Sequence, residues 1–167
     1  KLYTVSAEGR QQIIRILERG DFFGELALFQ NTRQSYCAEA MDDSGICLLP
    51  QESLKSLLRE KPEIALSLLD AMSVRLAQAE DFIGELTLKN VEGRLASWLL
   101  VMAQKGIPTS QGIRIRLDFT REELAQLLGT TIETVSRRLN ALQAKGIIEL
   151  QGHRTILIRD VKKLESL

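Results

Sequence analysis

Apolar and polar positions alternate along the first 50 residues, and the period then becomes helical. "KLYTV" and "QQIIRIL" flank "SAEG", where Gly9 suits a hairpin turn; "SYCAEAM" and "GICLLP" are two further strand candidates around the turn-like "DDSG". Several short strands joined by glycine-bearing turns predict a barrel or sandwich. From about Gln51, "ESLKSLLREKP" predicts a short helix stopped by Pro62, a residue that suits the first turn of the next helix. The chain then runs to Gly106 with no breaker except glycines. Along it Leu68, Met72, Leu76, Ala79, Ile83 and Leu86 are spaced 4, 4, 3, 4 and 3, close to a heptad seam. A single stripe of that length, joining halves of different composition, predicts a helix that pairs with its own copy.

Gly93 opens a second helix that Gly106 and Pro108 end. "SQGIRIRLDF" alternates as a strand, and two helices and a hairpin follow. Thr120 precedes Glu123 by three and Thr130 precedes Glu133 by three, the spacing of capping boxes, so helices should start near both threonines. The turn "LLGTT" between them is short enough for a helix-turn-helix. Ala125 is small where the helices must approach, Gly129 supplies a left-handed residue, and Val135 seals the pair.

The second of these helices sorts its faces. Val135, Leu139 and Leu142 form a buried stripe, and Glu133, Ser136, Arg137 and Asn140 share the other side at i, i+3, i+4 and i+7. Arg can fork onto guanine O6 and N7, and a carboxylate can accept from cytosine N4, so this face offers base-reading chemistry. Taken singly, Glu133 closes a capping box and Arg137 is a solvated charge; the helix-turn-helix spacing turns both toward base reading. Thr120, Arg121, Thr130, Thr131, Thr134 and Arg138 are placed to touch backbone phosphate. "IIEL" and "TILI" around "QGHR" predict a wing, with His153 and Arg154 at its tip.

Charge supports this division of labour. The net charge is zero, yet residues 1–111 hold 12 basic and 15 acidic side chains and residues 112–167 hold 10 and 7. The basic bias of the last third permits nucleic-acid binding. No apolar run approaches the roughly 20 residues a membrane helix needs. Cysteine is limited to Cys37 and Cys47, which points to two small buried thiols, a reducing cytoplasm and no cysteine-rich metal site. A single histidine, no nucleophile–base pair and no phosphate-loop motif argue against an enzyme.

"GDFFGELALF", residues 20–29, has glycine-freed amides beside a carboxylate, the chemistry of a phosphate and ribose cradle. Its pocket candidates are Gly24, Glu25, Leu26, Ala27, Arg33, Gln34 and Ser35.

The order of these parts resembles the CRP/FNR family of bacterial transcription regulators, over essentially all 167 residues. The resemblance implies an α+β chain: a cyclic-nucleotide-binding-type β-roll lacking its first two or three strands, a long dimerisation helix, and a C-terminal winged helix-turn-helix. The corresponding division is 1–61 for the partial sensor, 62–92 for dimer helix and hinge, and 93–167 for the DNA-binding domain. "ETVSRRL" is similar to the FNR branch, whose Glu-x-x-Ser-Arg pattern falls on Glu133, Ser136 and Arg137; the cyclic-AMP receptor branch has glycine in place of Ser136 and arginine in place of Ile132. This implies an inverted repeat with TTGAT-like half-sites about 34 Å apart, Arg137 on guanine, Glu133 on the opposite strand and Ser136 near thymine. It also implies a homodimer on a palindromic operator, an effector at the β-roll, and RNA polymerase as a further partner. The sensor end departs from the cyclic-AMP binders: Gln34 aligns with the phosphate-pairing arginine, and Ala79 and Glu80 stand where adenine is contacted. A buried phosphate without its cation is costly, so cyclic AMP is disfavoured as the ligand, and a cyclic-nucleotide-binding sensor that takes cyclic AMP directly is the alternative reading. Family members also sense through iron–sulfur clusters or haem, whose cluster cysteines would lie upstream of Lys1, so the effector stays open.

Overall fold

The computed structural model describes residues 1–25, 27, 34–152 and 154–167. The elements in chain order are β1 (Leu2–Val5), β2 (Gln11–Arg15), β3 (Cys37–Ala38), α1 (Gln51–Glu60), α2 (Pro62–Leu88), α3 (Val91–Gln104), β4 (Ile107–Thr109), β5 (Gly112–Arg116), α4 (Arg121–Leu128), α5 (Ile132–Ala144), β6 (Ile148–Leu150), β7 (Thr155–Ile158) and α6 (Val161–Glu165). They form two compact units, residues 1–83 and 84–167.

In the first unit β1 pairs antiparallel with β2 and with β3, in the order β2-β1-β3. The hairpin turns at Gly9, and Leu2 and Ile13 are its fully buried side chains among the described residues. "SYCAEAM" yields only the two-residue β3, and "GICLLP" forms no strand. Cys37 and Cys47 are exposed rather than buried. The cause is local: β3 pairs with β1 through Leu2↔Ala38 and Tyr3↔Cys37 alone, and Ile46, Leu48 and Leu49 beside Cys47 are also exposed.

Helix α2 extends for 27 residues and buries none of them. Pro62 occupies its first position, where a missing N–H costs nothing. Leu68, the first residue of the expected seam, is half-buried, whereas Leu69 is exposed with Leu76, Ile83 and Leu86. Replacing Leu68 by Leu69 regularises the spacing to 3, 4, 3, 4 and 3 through Met72, Leu76, Ala79, Ile83 and Leu86, which is the a/d repeat of a coiled coil.

The second unit is built on one core in which Leu95, Leu99, Ile115, Leu117, Leu124, Val135, Leu139, Leu142, Ile148, Ile156 and Leu164 meet. Its helix α3 begins at Val91 rather than Gly93, because the Asn90 side chain accepts from the Gly93 amide and caps the helix two residues earlier. The sheet order is β4-β5-β7-β6, all antiparallel. β4, inside the stretch taken as a helix end, is an edge strand and so tolerates Pro108. Gly112 enters β5 at φ 138, and a Cβ there would lie 2.1 Å from the Ile158 carbonyl oxygen, so only glycine fits against β7.

Candidate nucleic-acid interface

Helices α4 and α5 form the helix-turn-helix, and their ends are set by side chains. Thr120 caps α4 with a complete capping box: its hydroxyl accepts from the Glu123 amide at 3.1 Å, and Glu123 accepts from the Thr120 amide at 2.8 Å. Gly129, at φ 64, leaves α4 in the left-handed conformation, and the Thr130 amide donates to the Ala125 carbonyl at 3.0 Å. Thr130 therefore closes the first helix instead of opening the second. The cap of α5 passes to Thr131, whose hydroxyl accepts from the Thr134 amide at 3.3 Å. This corrects the Thr130–Glu133 box by one residue. Glu133 has no capping duty and lies exposed in the first turn, where the helix dipole favours its charge.

Val135, Leu139 and Leu142 are buried, and Glu133, Arg137 and Asn140 are exposed with Ser136 half-buried beside them. Ile132 is 41% exposed at the leading edge of the same helix. Among the described residues, Glu133 and Arg137 enter no ion pair, so a donor fork and an acceptor stand free on one face.

The expected phosphate contacts divide. Thr120 and Thr131 are exposed, Thr130 and Thr134 are half-buried, and Arg154 is exposed beside Gly152 in the β6–β7 turn; His153 lies outside the described residues. Arg121 is half-buried in the first turn of α4 with its Nη1 unpartnered. Burial lowers its guanidinium pKa, and a cation at the positive end of a helix has no compensation there; a phosphate would supply one. Arg138 departs from expectation. It flanks the buried stripe of α5 and donates from Nη1 to Glu92 at 3.1 Å, which draws its guanidinium inward. Lys145 donates to the other oxygen of Glu92 at 2.8 Å. Arg94, the one charged side chain found buried among the described residues, donates from Nε to the Leu128 carbonyl at 3.1 Å and from Nη1 to the Lys89 carbonyl at 2.9 Å. The sequence does not point to Glu92 or Arg94, because Leu128, Arg138 and Lys145, which they hold, are 34 to 53 residues away.

In the first unit the described pocket candidates are satisfied largely from within. The Gly24 amide donates to the Tyr36 hydroxyl at 3.0 Å, and the Gln34 amide reaches the Gly24 carbonyl at 3.5 Å. Glu25 Oε1 lies 3.6 Å from Arg15 Nη1 and 3.4 Å from Arg75 Nη1. Arg75 also donates to the Phe22 carbonyl at 2.8 Å and sits 3.7 Å from the centre of the Phe22 ring. Ala27 and Ser35 are exposed, and Leu26 and Arg33 lie outside the described residues. The Gly24 amide is thus taken by Tyr36 and Oε1 of Glu25 faces two guanidinium groups, while Glu25 Oε2 and Gln34 Oε1 are buried without a partner. Arg15, Tyr36 and Arg75 were not singled out in the sequence, since only folding brings them to Glu25.

Two family models match the chain: a Crp-like helix-turn-helix domain over residues 93–167 and a cyclic nucleotide-binding domain over residues 1–61. A probable transcriptional activator of Rhizobium leguminosarum is 34% identical over 168 aligned residues, spanning 100% of this chain and 69% of that protein. A CRP-like cAMP-activated global transcriptional regulator of Mycobacterium tuberculosis is 32% identical, over 98% of this chain and 73% of that one. Among solved structures, a CRP/FNR-family transcriptional regulator from Thermus thermophilus superposes with a TM-score of 0.77 at 29% identity, covering 99% of this chain and 80% of that one. FixK2 from Bradyrhizobium japonicum superposes with a TM-score of 0.74 at 26% identity, covering 99% and 81%.

Proposed function

This chain belongs to the CRP/FNR family of DNA-binding transcription regulators, and we propose that it acts as a homodimer whose two copies of α5 read an inverted repeat with TTGAT-like half-sites. The observation that carries this reading is the outer face of α5, where Glu133, Ser136, Arg137 and Asn140 stand clear of a core that takes Val135, Leu139 and Leu142. Arg137 would fork onto guanine, Glu133 would accept from a base of the opposite strand, Ser136 would lie near thymine, and Ile132 and Asn140 would border them. Thr120, Arg121, Thr130, Thr131, Thr134 and Arg154 would fix the register on phosphate.

Residues 1–61 would serve as part of a sensor, 62–92 as dimer helix and hinge, and 93–167 as the DNA-binding domain. Pairing through α2 sets the spacing of the recognition helices, so an effector that biased the β-roll or hinge would change operator affinity. Cyclic AMP is not assigned as that effector, given how Gly24 and Glu25 are engaged. In the cell the protein would act in the cytoplasm, with RNA polymerase as its further partner.

Arg137→Ala tests the assignment. Fluorescence anisotropy on the repeat and on a scrambled duplex should show loss of most of the preference, since one good bidentate contact is worth about 1–3 kcal/mol per half-site. Sedimentation should show the dimer intact. An unchanged preference for the repeat would refute the role of Arg137.

A further inference from the structure

Three aliphatic side chains, Val135, Leu139 and Leu142, hold α5 to the core. Apolar contact is non-directional, so the stripe turns one side of α5 to the core but sets the fine rotation of the helix less sharply than a directional contact would. That rotation decides which side chains face DNA. Arg138 and Lys145 are seven residues apart, so two helical turns bring them to one side of α5, well away from Glu133, Ser136, Arg137 and Asn140. Both cations end on one carboxylate, Oε2 of Glu92 taking Arg138 and Oε1 taking Lys145. Glu92 is the most buried of the three, at 16% side-chain exposure against 39% and 52%. It is the second residue of α3, two positions past the Asn90 cap, and Arg94 two positions further binds the last carbonyl of α4. One turn beside the hinge thus grips both helices of the helix-turn-helix.

We infer that Glu92 is a positioning residue for DNA recognition: by holding Arg138 and Lys145 it fixes the rotation of α5 relative to the hinge, and it withholds two cations from indiscriminate contact with phosphate. The inference rests on α5 being the DNA-reading helix. It changes the part played by Arg138, which acts through the protein and not on the phosphate backbone. Directional, charge-assisted hydrogen bonds at positions two turns apart supply the sharper restraint.

The test is Glu92→Gln in the full chain, titrated with the TTGAT inverted repeat and with a scrambled duplex over a salt series. The variant should bind the scrambled duplex more tightly, with a log–log salt slope steeper by about one to two as one or two further phosphates are engaged. Its preference for the repeat should fall by roughly tenfold, comparable to one lost base contact. Arg138→Gln with Lys145→Gln leaves Glu92 nothing to hold; it should lose the same preference without the tighter scrambled binding, and adding Glu92→Gln should change nothing more. A folded Glu92→Gln protein with the original preference and salt slope overturns the role. If the unaltered protein shows no preference for the repeat, the DNA-reading assignment fails instead. The slopes on scrambled duplex and the same mutant cycle in thermal midpoints then decide the clamp: non-additive midpoints uphold it, additive ones overturn it.

Discussion

Thr130 and Thr131 differ by one position, and the difference decides what Glu133 can do. Capping-box spacing alone places the helix start at Thr130, which would bind Glu133 to the backbone. The left-handed turn at Gly129 shifts the start, because the Thr130 amide is needed by the Ala125 carbonyl of the preceding helix. Spacing rules score each helix separately and cannot register two helices competing for one residue. The exposed positions Glu133, Arg137 and Asn140 are legible in the sequence because their exposure follows from helical period. The contact of Arg138 with Glu92 is not legible there, because its partner comes from another helix. Gly129 is the residue on which the turn depends: at φ 64 it holds a conformation that costs any residue with a Cβ about 1–2 kcal/mol. Gly129→Ala should therefore lower stability by that amount, read as a reduced midpoint in thermal unfolding of the second unit, with DNA preference kept at temperatures below it. A midpoint equal to that of the unaltered protein would show that the turn relaxes without strain.

At the scale of elements, what was legible depended on length. The 27-residue α2 announces itself by period, and so do the faces of α5. Two- and three-residue strands carry too little pattern: the sequence around Pro108 does not predict β4, and "GICLLP" predicts a strand that does not form. The seam of α2 shows how exposure refines a period. Leu68 and Leu69 are adjacent leucines that periodicity barely separates, but only Leu69 continues the exposed row of Leu76 and Ile83 at intervals of seven. A helix with leucine and isoleucine left bare in this register is stable in water when a second helix covers them. Leu76→Glu would place a carboxylate in the middle of that seam from both copies. Sedimentation should then show a monomer at concentrations where the unaltered protein is a dimer, with helical content largely kept in the second unit. A persistent dimer would mean that another surface joins the copies.

The whole molecule distributes its buried side chains unevenly. In the first unit Leu2 and Ile13 alone are fully buried among the described residues, and Glu25 is held by ion pairs to Arg15 and Arg75. The described core of the second unit lies between Leu95 and Leu164, and the first turn of α3 is fastened to it by Glu92 and Arg94. A fragment of residues 84–167 should accordingly fold by itself, giving a cooperative thermal transition and a full set of dispersed amide resonances. Lacking most of α2, it should bind as a monomer. Two half-sites engaged at once contribute far more than either alone through effective concentration, so the fragment should lose at least about a hundredfold in affinity for the inverted repeat. A single half-site should serve it nearly as well as the repeat. Extending the fragment back to Pro62 should restore both the dimer and the advantage of the repeat over the half-site. If the extended fragment dimerises yet gains nothing from the second half-site, the long helix pairs the copies without setting the spacing of α5. The link from sensor to operator would then have to run through the hinge at Lys89 and Asn90 alone.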